Sequence, residues 1–420
     1  MAYPEAELGS IATLWDCLHK TPAYSEDGYP MVRVTDIKRG FLDLSRTLKV
    51  QDETYQEFIE RHRPRASDIL FSRVGSYGNS CFVDREQEFC LGQNTVCITP
   101  DPGRSVPYFL YCCLNTPFVR QQIDSLVGGA SQPTISLKSI AHIKLPLPDV
   151  ADQSKIAGIL LPYESLIEND LRRIEILEDM AQNLYREWFV KFRYPGGQDA
   201  RFIDSPLGQI PEGWEVKGAM DNGNWNFIDQ NVGPYVGTKR YHATADIDGI
   251  TIVSDGVDYA YKQKPSRAQK QPLLNSVWFA RMQETYKVLA VARPNAALAA
   301  NAMLSSGFAG FVAADEDSLP FLFLTIASRE FHQEKDRYCT GATQRSLTND
   351  GLSRILTICP PREIVQQFGH AATDFMELML TLQQQNLILR RTRDLLLPRL
   401  VSGEIDVADL DIAVPEGTSA

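Results

Sequence analysis

From Ser154 to Lys191, apolar residues fall at Ile156, Leu160, Tyr163, Ile167, Leu171, Ile174, Leu177, Ala181, Leu184 and Trp188. Steps of three and four make an amphipathic stripe, which predicts a long helix built to lie against a helical partner. Phe368, Ala371, Phe375, Leu378, Leu382, Leu389 and Leu396 repeat that spacing near the other end of the chain. A helix of about 38 residues would be about 57 Å long, too long to be wrapped by the segment before it. Pro162 lies inside the first stripe and is expected to kink it. Gln384, Gln385 and Asn386 sit where a dry seam would be apolar, which would weaken a pairing while fixing its register. Ahead of each stripe, short β-like runs (CFVD, NTVCITP, SVWFA, FAGFVAA) alternate with turns, the pattern of an α+β domain.

The two halves share a plan. SVPYFLYCCLNTPFVRQQ from Ser105 aligns with SLPFLFLTIASREFHQEK from Ser318, each with a proline opening an apolar helix. GGASQPTISLKSI (128–140) is echoed by GATQRSLTNDGL (341–352), and Pro148 by Pro360. DILFSR at Asp68 pairs with KVLAVAR at Lys287. Matches in one order and at nearly one spacing indicate an internal two-fold repeat of about 210 residues. The expected layout is therefore two mixed α/β domains, 1–150 and 214–362, each followed by a long helix, 151–192 and 363–400. A Gly/Pro-rich linker spans 193–213, and 401–420 forms a C-terminal tail.

Composition adds limits more than content. At 420 residues, with 44% hydrophobic and 23% charged positions, each domain can bury a core. No apolar run reaches the roughly 18 residues that span a bilayer, and MAYPEAELGS has no secretory pattern, so no membrane association and a cytoplasmic location are expected. The eight cysteines have no CxxC or finger-like spacing, which predicts reduced, buried thiols and no metal. The net charge of −11 argues against nucleic acid at first sight, yet residues 1–150 carry only −3 and residues 210–360 only −1. A one-sided basic face on each domain is compatible with that balance.

Catalytic equipment is missing from the pattern. No phosphate loop, dinucleotide fingerprint, HExxH or nucleophile elbow is present, and the six histidines are scattered. No Asn-Pro-Pro-aromatic motif is present, so no adenine methylation by this chain alone is expected. Glu212, Glu215 and Lys217 are the nearest approach to a nuclease centre, and they lie at the linker. The chain is expected to bind rather than catalyse.

LPLPDVADQSKIAGIL (145–160), NLYREWFVKF (183–192), SPLGQIPEGWEV (205–216) and LRRTRDLLLPRLVSGEI (389–405) resemble the DNA-specificity subunit of type I restriction-modification systems. The resemblance covers nearly the whole chain, two-copy layout included. It implies two target-recognition domains, each reading half of a split target in double-stranded DNA. It also implies that the two long helices form an antiparallel coiled coil setting the spacing of the halves. Two methyltransferase (modification) subunits and restriction/translocase subunits are the implied partners. No cofactor is expected on this chain; S-adenosylmethionine and ATP would belong to the partner subunits. The chain departs from the pattern near Met1, where PEAELGSIATL stands in place of a second IPEGWEV, and at 292–304, where ARPNAALAANAML lacks the serine and glycines of SRVGSYGN.

Chemistry restricts the candidate DNA contacts. Phosphates call for Lys, Arg, small hydroxyls or backbone amides, and base edges for Arg, Asn and Gln. The first copy offers Arg33, Lys38, Arg39, Arg73, Ser76, Tyr77, Asn79, Gln132 and Thr134. The second offers Lys239, Arg240, Tyr241, Lys262, Lys264, Arg267, Lys270, Arg293, Asn295, Gln344, Arg345 and Ser346. Its KQKPSRAQK run (262–270) is the most basic in the chain. The competing reading is a coiled-coil assembly or adaptor protein whose mixed domains bind other proteins; the acidic balance and polar seam would suit it. Sequence-specific DNA binding in complex with a methyltransferase separates the two.

Overall fold

A computed structural model describes residues 3–128, 133–342 and 344–412. It mixes helices and strands, an α+β chain, and resolves into two compact units. The first comprises Met1–Glu168 with Leu389–Ala420, and the second Asn169–Ile388.

The first unit is organised by a four-stranded sheet in the order Ala12–Asp16, Thr95–Pro100, Ile69–Ser72, Ser80–Phe82. Every residue of Ile69–Ser72 is buried, as a strand covered on both faces requires. Helix Pro107–Leu114 lies in the same core and is apolar all round because its residues from Tyr108 to Leu114 are all buried. Pro107 opens it at a position where its missing N–H costs nothing. The Thr116 hydroxyl caps the next helix, Pro117–Leu126, by accepting from the Val119 N–H at 3.3 Å. A second sheet, Leu48–Val50, Tyr29–Val32, Cys90–Leu91, carries a parallel pair between its last two strands. The helix Asp52–Ile59 follows its edge strand.

The second unit has a four-stranded sheet in the order Trp225–Phe227, Phe308–Ala313, Ser276–Ala280, Val288–Val291. In chain sequence both sheets read first, fourth, second, third. The fully buried strand Ser276–Ala280, ending at Arg281, thus takes the place that Ile69–Ser72, ending at Arg73, has in the first sheet. The pairing of DILFSR with KVLAVAR is corrected accordingly: Val288–Val291 occupies the edge position of Ser80–Phe82. Both segments are apolar runs ending in arginine, and apolarity does not distinguish a central strand from its neighbour. The second unit's side sheet runs Val257–Ala260, Thr238–His242, Ala302–Ser305, Ala268–Lys270, again with one parallel pair. Its fourth strand comes from the KQKPSRAQK run.

The long helices are Val150–Tyr185, 36 residues, ending in a wide π turn at Arg186–Val190, and Arg362–Val401, 40 residues. The first runs through Pro162, which is exposed, as one helix. In the first unit Ile156, Ala157 and Leu160 share a core with Leu397, Leu400 and Val401, and Glu164 pairs with Arg393. In the second, Tyr185, Trp188 and Phe189 pack edge-to-face around Phe368, with ring centroids 6.4, 5.5 and 4.8 Å away. The polar seam is corrected by one position: Gln383 and Asn386 are buried, whereas Gln385 is exposed. Gln383 donates its amide to the Ile250 carbonyl at 3.0 Å. The segment 193–213 carries an antiparallel pair, Phe202–Ser205 with Gly208–Pro211. Among the described residues, no helix is long and apolar enough to cross a membrane.

Candidate nucleic-acid interface

The described ends of the duplicated phrase are joined in the same way in both units. In the first, Gly128 and Thr134 exchange backbone hydrogen bonds of 3.0 and 2.9 Å and close the neck of a hairpin. Thr134 also bridges to Val74, at the end of the central strand. In the second, Thr340 pairs with Ser346, and Ser346 bridges to Met282. Both necks therefore enclose five residues. Gly341, with φ +131°, is in a region that side chains disfavour; a Cβ there would stand 2.7 Å from the Gln344 carbonyl oxygen. Beyond each neck a hydroxyl caps a short helix: Ser136 accepts from the Ser139 N–H at 2.9 Å, and Thr348 from the Gly351 N–H at 3.0 Å.

A semi-buried arginine underlies each neck. Ile135 N–H donates to the Arg73 carbonyl at 3.1 Å, and Arg73 Nε donates back to the Ile135 carbonyl at 3.1 Å. Leu347 N–H donates to the Arg281 carbonyl at 2.8 Å, and Arg281 Nη1 returns a 3.0 Å bond to the Leu347 carbonyl. Ile135 and Leu347 are themselves buried. The charges are matched differently: Arg73 meets Asp16 at 2.8 Å, whereas Arg281 donates to the Asn349 amide oxygen at 2.7 Å. Burial lowers the proton affinity of Arg281, partly offset by Asp229. Arg281 was absent from the sequence-based candidates; an apolar strand ending in arginine, SVWFAR against DILFSR, was the signal that could have found it.

Several candidates serve the fold. Asn295 is buried, with its side-chain oxygen on the Ala292 N–H and its amide on the Ala290 carbonyl, both at 2.8 Å; it is corrected to a structural cap. Arg73 likewise becomes a support for the hairpin. Asn79 faces the Ile37 carbonyl at 3.5 Å, and Ser76 donates to the Val34 carbonyl at 3.1 Å. Tyr77 lies beneath the Arg120 guanidinium, 4.9 Å from its ring centroid. Arg33 pairs with Asp36 at 3.0 Å, and Arg39 with Asp394 at 2.7 Å. Lys38 is exposed, Thr134 is half-buried in the neck, and Gln132 lies outside the described residues.

The second unit presents a different surface on its side sheet. Tyr235, Tyr241, Tyr259 and Tyr261 pack about a small core of Val232, Ala268 and Met303. Lys239 lies 5.5 Å from the Tyr235 ring centroid and donates to Gln271 at 2.7 Å. Lys264 lies 5.6 Å from the Tyr261 centroid and donates to the Ala268 carbonyl at 2.6 Å. Lys270 donates to Asn231 at 3.1 Å, and Arg240 makes a two-pronged 2.9 Å pair with Asp258. Burial lowers the proton affinity of Lys239, and burial with repulsion from Arg281 does so for Lys270. Lys262 and Arg267 point their charge to solvent. Arg293 is exposed and pairs with Glu316 at 2.8 Å. On the hairpin itself Gln344 and Arg345 are exposed, Arg345 donating to the Cys339 carbonyl at 2.9 Å, while Ser346 faces the Arg281 carbonyl at 3.4 Å.

Lys217 pairs with its strand neighbour Glu215 at 2.7 Å. His62, Asp68 and Cys97 converge, a cluster the sequence spacing did not suggest. Burial would raise the Asp68 carboxyl, but hydrogen bonds from His62, Thr99 and the Arg65 backbone outweigh it and hold it below the usual range. His62 stacks on Trp15 with centroids 4.7 Å apart and is hydrogen-bonded to Asp68 at 3.1 Å, so the ring is pinned in place. The described cysteines are all free, and burial raises their thiols, Cys90 to about 12.

Residues 5–178 match the family described as type I restriction modification DNA specificity domain. The chain is 25% identical over 334 residues to the type I restriction enzyme MjaIX specificity subunit of Methanocaldococcus jannaschii, covering 74% of this chain and 72% of that one. It is 23% identical to the HindI specificity subunit of Haemophilus influenzae, over 81% of this chain and 87% of that protein. Among solved structures, the type I restriction-modification S subunit from M. genitalium superposes with a TM-score of 0.53 at 14% identity, covering 95% of this chain and 96% of that one. The structural likeness speaks for the fold.

Proposed function

We propose, from the premise that residues 5–178 form a type I restriction modification DNA specificity domain and the chain resembles type I specificity subunits, that it reads a bipartite target in double-stranded DNA. One unit reads each half. The observation that carries this reading is the duplicated neck above its arginine, one per unit, with equal spacing and equal caps. A protein with one contiguous target has no need of two such readers.

The long helices act as the spacer. In the first unit they pair antiparallel, with Lys155 reaching the Val407 carbonyl and Glu164 meeting Arg393. Helices of 36 and 40 residues extend about 54 and 60 Å, more than the roughly 34 Å of one DNA turn. An unread stretch between two half-sites follows.

The chain contributes recognition without chemistry. Methyl transfer and cleavage belong to two methyltransferase subunits and to restriction/translocase subunits, which bring S-adenosylmethionine and ATP. Methylation-aware sequencing of host DNA, with and without this chain, tests the reading. A methylated motif of two defined halves around a spacer of undefined sequence is expected to vanish with the chain. Methylation that persists without it would assign target choice elsewhere.

A further inference from the structure

His62, Asp68 and Cys97 bring an imidazole, a carboxylate and a thiol together, and their ligand atoms all lie within 4.8 Å of one another. They come from separate stretches of the first unit. Asp68 stands just before the strand Ile69–Ser72, Cys97 lies within the neighbouring strand Thr95–Pro100, and His62 follows the helix Asp52–Ile59. Each is already aimed. The His62 ring stacks on Trp15 with its plane tilted by only 4°, and its Nε2 meets Asp68 at 3.1 Å. The Thr99 hydroxyl donates to one Asp68 oxygen at 2.7 Å, and the Arg65 N–H to the other at 2.9 Å. Such outer bonds fix the direction of a ligating carboxylate. Asp68 and Cys97 are buried, whereas His62 and Thr99 line a cavity of about 370 Å³ together with Trp15, Arg63 and Arg65. The cavity supplies an entry path and room for a water as a fourth ligand.

We propose that His62, Asp68 and Cys97 hold one divalent transition-metal ion, zinc by the donor set, which ties the segment after the helix to two central strands. Imidazole, thiolate and carboxylate at one point suit zinc, which takes four ligands at about 2.0–2.3 Å. Two ligands at about 2.0 Å in a tetrahedral shell stand about 3.3 Å apart, close to the 3.1 Å between His62 Nε2 and Asp68. Charge decides whether an ion can sit there. Arg63 and Arg65 line the cavity and oppose a cation, although Arg63 is paired with Glu88 at 2.7 Å. The Asp68 carboxylate and a Cys97 thiolate together cancel a dication, which leaves the buried point neutral. On binding, the thiol proton passes to solvent as the metal–sulfur bond forms. The His62 ring proton resides on Nδ1, leaving the Nε2 lone pair for the ion. The corresponding place in the second unit lacks the thiol: Gly310 pairs with Trp278 in the register in which Cys97 pairs with Leu70. One ion per chain is therefore expected, independently of which DNA the chain reads.

The test uses the full chain, stripped with a chelator and titrated with Co²⁺, whose bond to a thiolate gives a near-ultraviolet charge-transfer band. One equivalent is expected to saturate the band, and Zn²⁺ to remove it by displacing the cobalt. Cys97→Ser is expected to abolish the band. His62→Gln, at a half-buried position, is expected to keep the band but weaken affinity by at least about a hundredfold, because losing a ligand costs more than losing an outer bond. Thr99→Ala removes one such outer bond and should weaken affinity by about tenfold. Zn²⁺ should raise the melting temperature of the wild-type chain and leave that of His62→Gln unmoved at the same concentration. The proposal is overturned if the folded wild-type chain gives no band, if the band survives Cys97→Ser, or if His62→Gln binds cobalt as tightly as wild type. Should Cys97→Ser fail to fold, His62→Gln and Thr99→Ala decide the matter.

Discussion

The side sheets of the two units diverge where their central sheets agree. After its edge strand the first unit inserts the helix Asp52–Ile59, opened by Asp52 and Glu53 and tied through Glu57 to Lys20 at 2.7 Å. At the corresponding point the second unit inserts KQKPSRAQK, which becomes a fourth strand and leaves Lys262 and Arg267 exposed. One insertion is acidic and helical, the other basic and extended. The hairpins differ more subtly, in whether a carboxylate or an amide oxygen balances the arginine below. Frame and hairpin support are thus held in common, while surface charge varies. That is the arrangement expected when two readers share a scaffold and read different sequences.

The comparison can be broken most forcefully at the helix pair. The first unit fastens its helices with the buried Glu164–Arg393 pair, whose side chains are 6% and 8% exposed, and the second with aromatic rings around Phe368. Glu164→Ala leaves buried Arg393 with only the more exposed Asp394 as its carboxylate partner and is expected to cost about 3 kcal/mol. Thermal unfolding would show the first unit melting early while the second keeps its transition; one transition shifted as a whole would mean that the units do not unfold separately. The hairpins offer a smaller contrast. Gly341→Ala forces a side chain into a positive-φ site against the Gln344 carbonyl and is expected to cost about 1–3 kcal/mol. Gly128→Ala meets nothing within 4 Å, and an effect near zero is expected in the same chemical denaturation assay. Equal losses would contradict the assigned geometry of the two necks.

Long-range periodicity carried most of what was legible. The helical stripes set Ile156, Leu160 and Phe368 in cores, and the prolines at 107 and 320 marked helix starts. Periodicity could not tell which of two neighbouring apolar strands is central, so Arg281 was missed and its repeat partner misplaced. The candidate contacts suffered from a different limit. Composition identifies groups able to bind DNA, but Asn295 and Arg73 spend theirs on backbone carbonyls and a neighbouring carboxylate, and only folding decides that. The basic run was legible as charge and not as a strand; the lysines at 264 and 270 are tied to the Ala268 carbonyl and to Asn231, while 262 and 267 are exposed.

That outward pair gives the most direct test of one reader per half-site. Lys262→Glu together with Arg267→Glu costs little in folding energy, because both side chains are exposed. In the complex with methyltransferase subunits, genome-wide methylation should lose its definition in one half of the motif and keep the other half and the spacer length. The salt slope of binding should fall by up to about 2. A motif that stays intact, or one that degrades in both halves at once, would contradict the assignment of one unit to each half.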